Sequence, residues 1–147
     1  MNKSPICFGA RNNQFGSFNV PCNGTLASVK LVHVDGYVKC NQGDGKRSFW
    51  GCIKDPTNEV NVEIKNDADT SILPSSDFLV MSGGKESLHI PGYNSLSTEL
   101  VLSASVSNPP KVTKGERLRL SLREDSLSSH EEKSCCDVYA RFSETTA

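Results

Sequence analysis

The chain carries no excess of charge of either sign: 16 Lys and Arg stand against 17 Asp and Glu, a net of -1. Without a global field, nucleic acid and anionic membrane surfaces are excluded as default partners. No apolar run approaches the roughly 20 residues needed to span a bilayer, so membrane insertion is not expected. The opening residues MNKSPICFGARNN also lack the apolar h-region of a signal peptide. No segment sustains a 3.6-residue apolar period, which argues against a helical fold. The three histidines, His33, His89 and His130, are scattered and form no zinc set. No Ser-His-Asp or Cys-His motif marks a nucleophile, and paired carboxylates without an evident deep cleft are a poor basis for glycoside hydrolysis; the chain is read as no enzyme.

None of the six cysteines has CxxC spacing, yet their number is even: Cys7, Cys22, Cys40, Cys52, Cys135 and Cys136. Disulfides are the expected use, and with them a secreted, extracellular protein. Met1 then begins the mature chain, the alternative being a cytosolic protein with free thiols. A Cys40–Cys52 bridge would close the polar loop NQGDGKR and contribute about 3 kcal/mol by chain entropy, although other pairings stay open. Adjacent Cys135 and Cys136 point to opposite faces of a strand, so they serve different partners. Two intrachain bridges to Cys7 and Cys22 are expected, with a bond between chains as the alternative.

What is abundant is alternation. Leu118, Leu120 and Leu122 alternate with Arg117, Arg119, Ser121 and Arg123, and Cys136, Val138, Ala140 and Phe142 alternate with Cys135, Asp137, Tyr139 and Arg141. Val60, Val62 and Ile64 repeat the pattern before a polar turn at NDADT, and Leu100, Leu102, Ala104 and Val106 share a face until Asn108-Pro-Pro110 ends the strand. Asp35-Gly36 signals a hairpin or a bulge. The spacing predicts an all-β fold, an antiparallel β-sandwich of jelly-roll or immunoglobulin-like kind with seven to nine strands, in a single domain over residues 1–147.

Between the two strongest strands lies an acidic loop, with Glu124, Asp125, Glu131 and Glu132 close in sequence and Asp137 just inside the next strand. Carboxylates crowded in this way must be solvated, paired with Arg117, Arg119, Arg123 and Lys133, or occupied by a cation. Calcium takes about six to eight oxygen ligands, so these five residues are the candidate metal ligands. Trp50, beside Gly51 and Cys52, reads first as core packing and second as a sugar platform. Tyr93, after Pro91-Gly92, is the better exposed stacking residue, and His130 sits within the acidic loop.

Three stretches carry a resemblance: Gly36-Tyr-Val-Lys-Cys40 with Phe49-Trp-Gly-Cys52, Pro91-Gly-Tyr93 with Glu99-Leu-Val101, and Glu124-Asp125 with Cys135-Cys-Asp-Val-Tyr-Ala140. Over about residues 29 to 142 the chain resembles the secreted cnidarian β-sandwich proteins typified by a calcium-dependent galactose-binding lectin of a sea anemone. The resemblance implies a lectin that binds galactosides through Ca2+, the ion taking two neighbouring sugar hydroxyls while ring carbons rest on an aromatic face and polar side chains fix the epimer. It also implies a possible homodimer gaining avidity from two sites. The alternative is a non-catalytic extracellular matrix or adhesion module with the same fold and no sugar site.

Overall fold

The period-two segments become strands in a computed structural model of the chain, which describes residues 5–9, 15–38, 49–50, 59–60, 62–75, 78–82, 85–90, 92–93, 96–105, 107–122 and 133–143. Among the described residues there are twelve strands and no α-helix: β1 (Ile6–Phe8), β2 (Gly16–Asn19), β3 (Gly24–Gly36), β4 (Glu59–Val60), β5 (Val62–Lys65), β6 (Ser71–Leu73), β7 (Leu79–Ser82), β8 (Lys85–His89), β9 (Glu99–Ser103), β10 (Lys111–Val112), β11 (Arg117–Leu122) and β12 (Ser134–Ser143). This exceeds the expected seven to nine. The surplus comes from pieces such as β4 and β10, two residues each, which are too short to show a period in sequence.

All pairings are antiparallel. The first sheet runs β1-β12-β3, with β9 and β10 sharing the far edge of β3; the second runs β2-β11-β5-β6; a smaller third sheet runs β4-β8-β7. The axis of the first sheet is the β3–β12 ladder, which extends from Ser134 opposite Gly36 to Ser143 opposite Thr25, with irregularities at Cys135/Cys136 and Arg141/Phe142. Val29 and Leu31 of β3, Leu100 and Leu102 of β9, and Cys136 and Val138 of β12 turn inward from this sheet. They join Leu118, Leu120 and Leu122 of β11 and Val62 and Ile64 of β5 in one buried cluster. The fold is therefore an all-β antiparallel sandwich, the residues of each inward face alternating with outward ones as a two-sheet core requires.

The NDADT segment turns as its composition dictates. Asn66 N–H donates to the Thr70 carbonyl at 3.0 Å, the Asn66 side-chain oxygen accepts from the Ala68 and Thr70 amides, and Asp69 takes the left-handed conformation at φ 62°. This turn presents Asp67 and Asp69 to the outward side chains of the second sheet: Arg117 pairs with Asp67, while Lys65 and Arg119 both pair with Asp69. Arg119 also lies 5.4 Å from the centre of the Phe15 ring. Arg117 and Arg119, two of the arginines that alternate with the β11 leucines, thus have carboxylate partners of their own.

Candidate functional site

The acidic segment of the sequence is flanked by two buried residues. Leu122 ends β11 in the second sheet and Ser134 begins β12 in the first, both fully inaccessible, so the chain passes from one sheet to the other between them. Glu124, Asp125, Glu131, Glu132 and His130 lie outside the described residues. Asp137 is half-buried on β12. It shares the outward face with Cys135 and with Tyr139, while Cys136 and Val138 face the core. Among the described residues no group of three or more His, Cys, Asp or Glu is close enough to hold a metal ion.

An aromatic cluster was only partly anticipated by sequence reasoning. The His33 ring stacks on Phe49 with centroids 3.6 Å apart, and its Nε2 lies 2.6 Å from the Gly36 carbonyl oxygen. Trp50 is fully buried, stacked near Phe8 and edge-on to His33, and its indole N–H donates to the Ser97 carbonyl at 2.6 Å. That overturns Trp50 as a sugar platform: a ring with no accessible face and a satisfied N–H is core. Tyr93 is half-buried against the core, at a turn closed by its N–H to the Ile90 carbonyl at 3.1 Å with Gly92 in the left-handed region at φ 85°. Gly36 is also left-handed, at φ 78°, and a Cβ there would run into the carbonyl oxygen of Lys133, the residue through which the acidic loop enters β12.

The cysteines bear out one of the two intrachain bridges expected for Cys135 and Cys136 and correct the other. Cys7 bonds Cys135, opposite it in the β1–β12 ladder. Cys22 is exposed and Cys136 buried, and neither is bridged. The reason is the alternation itself: Cys135 faces out toward β1, so Cys136 faces into the apolar cluster. Burial, and after it the negative charge of Asp137, pushes the Cys136 thiol up to about 12. Cys40 and Cys52 lie outside the described residues.

A second feature went unnoticed in the sequence. Beside β5 and β6 opens a cleft of about 560 Å³ lined on its polar side by Glu63, Ser71, Ser75, Ser105, Ser107 and Asn108. Glu63 sits between the inward Val62 and Ile64, where alternation predicts an exposed residue, yet it is only 7 % accessible. No local pattern signals such burial, because the segments that surround Glu63 come from distant parts of the chain.

No protein-family model matches the chain, and no curated protein does. Among solved structures, AJLec from the sea anemone Anthopleura japonica is similar, with a TM-score of 0.79 and 29 % identity over 97 % of this chain and 95 % of that one. The chain has the fold of a sea-anemone lectin. This likeness spans both large sheets, so the resemblance seen in three short stretches extends to the architecture that carries them.

Proposed function

We propose that the protein is a secreted, non-catalytic lectin that recognises galactose-type glycans through a calcium ion held by the loop from Glu124 to Asp137, and that it acts as a homodimer. The observation that carries the reading is the likeness to AJLec over 97 % of the chain, joined to the Glu124-Asp125 pair that the sequence shares with the sea-anemone pattern. The donor set suits the ion: Glu124, Asp125, Glu131, Glu132 and Asp137 offer hard carboxylate oxygens, the ligands calcium prefers. Of these, Asp137 stands on the outward face of the first sheet, on the strand into which the loop feeds. Bound calcium would supply two coordination positions for neighbouring sugar hydroxyls. The protein's own part is to hold the carboxylates together between two rigid strand ends, and Tyr93 is the aromatic residue assigned to the sugar ring.

The test is thermal unfolding with calcium and with chelator, followed by a glycan array under both conditions. Calcium is expected to raise the melting temperature by mass action. Asp125→Asn and Glu124→Gln are each expected to abolish that shift and calcium-dependent galactoside binding while leaving the chelator-state melting temperature unchanged. Calorimetry showing no calcium binding at millimolar concentration would refute the reading and leave the matrix or adhesion module in its place.

A further inference from the structure

Among the described residues, Glu63 is a carboxylate without a cation. The described basic side chains nearest along its face, Lys65 on the same strand and Arg119 on β11, are committed to Asp69 at 3.6 and 3.0 Å. No ion pair of Glu63 occurs among the described residues. Its cross-strand partner is Ser121, itself 4 % accessible. Glu63 is only 7 % accessible, so its carboxylate has little contact with bulk water and takes hydrogen-bond donors from whatever the cleft admits. Glu63 lines the cleft beside β5 and β6.

The other described residues that line the cleft are neutral. Ser71, Ser75, Ser105 and Ser107 supply hydroxyls, Asn108 an amide, and Ile72, Pro74 and Leu79 an apolar side. The Ser105 and Ser107 hydroxyls lie 3.1 Å apart. Its volume of about 560 Å³ lies within the roughly 300–1,000 Å³ usual for small-molecule sites. A cationic guest would find a single carboxylate and no aromatic ring among the described lining residues. A polyol fits better: each of its hydroxyls donates to the carboxylate or to a serine oxygen and accepts from the Asn108 amide or a serine hydroxyl, while its C–H face rests on the apolar side.

We propose that this cleft is a calcium-independent binding site for an uncharged saccharide residue, with Glu63 the principal acceptor of its hydroxyl protons. It stands apart from the acidic loop and does not rest on calcium binding there. The experiment is a titration of the full-length isotopically labelled protein, in chelator, with methyl β-galactopyranoside and methyl α-glucopyranoside, followed by amide chemical shifts. Saturable shifts are expected at Ser71, Ser75, Ser105 and Ser107 in the millimolar range. Glu63→Gln should weaken them about fivefold or more, the scale of a lost charge-assisted hydrogen bond. Ser105→Leu, which fills the cleft without touching the buried carboxylate, should abolish them even if the Glu63 variant folds poorly. Loss of calcium-dependent binding in Asp125→Asn with these shifts intact would support the cleft as a site separate from the loop. Absence of saturable shifts with both glycosides, or tighter saturation by methylammonium than by either, would overturn the proposal.

Discussion

The Cys7–Cys135 bond gives the largest effect that can be worked from the structure. It joins residues 128 apart in sequence, so nearly the whole chain lies inside the loop it closes. In the chain-entropy account a loop of that length restricts the unfolded ensemble by about 5 kcal/mol. A domain of 147 residues gains roughly 0.3 kcal/mol/K of entropy on unfolding, so removing the bond lowers the melting temperature by about 16 °C. The perturbation is the double substitution Cys7→Ala with Cys135→Ala, which leaves no orphan thiol to pair with Cys22. Scanning calorimetry of the double variant against the parent reads the shift directly, and denaturant unfolding gives the free energy. β1 has a second stake in the bond: it is a three-residue edge strand whose described strand pairing is with β12, and it carries the fully buried Phe8. Peeling of β1 alone would appear as early loss of protection at Phe8 with the main transition unmoved. A main transition lowered by less than about 5 °C would refute the entropic reasoning.

Two further outcomes are expected. Cys136 should resist alkylation in the native state at pH 8 while exposed Cys22 reacts, as peptide mapping of the labelled protein will show; equal rates would contradict its burial. Because the Cys136 thiol is raised from 9.0 to about 12, the unfolded chain releases this proton first. Its contribution to stability is therefore complete below pH 9 and is lost as pH rises through 12, a decline that Cys136→Ala should flatten in denaturant titrations across that range. Gly36→Ala should cost about 2 kcal/mol or more, since it adds left-handed strain and a contact with the Lys133 carbonyl. A neutral result in chemical denaturation would refute that account.

Much of the fold was legible because a strand with one buried face prints itself as alternation. Leu118, Leu120 and Leu122 are buried as predicted, and so are Leu100 and Leu102. The same rule placed Cys135 and Cys136 on opposite faces. It failed at Glu63, where the outward face of β5 is itself covered. Alternation reports only that a residue points away from its neighbours, and what lies on that side is decided by segments far along the chain. The bridges were legible only in part for a related reason: an even count and adjacent cysteines say that pairing to Cys7 and Cys22 is possible, but partners are fixed by register, here Cys7 against Cys135. Trp50 is a case in which two uses of one residue type share a sequence signature, and only burial and the Ser97 contact separate them. The acidic loop was legible as a charge cluster, since like charges close in sequence are a local property.

The neighbourhood of β1 and β12 sets an order of events during synthesis. The first of the described strands pairs with the last, and at about 5–20 residues per second the 128 residues that separate Cys7 from Cys135 take roughly 6–25 s to emerge. Throughout that interval Cys7 is a free thiol on a nascent chain, and Cys22 is the first potential partner to appear beside it. Vectorial synthesis therefore offers the wrong bond before the right one exists. Correct pairing belongs to the period after β12 has emerged, when it closes against β3 and brings Cys135 to the edge where β1 docks. Oxidising conditions imposed too early in recombinant production would trap the chain with its first strand tied to the turn ahead of β3, and a shuffling thiol added late would free it.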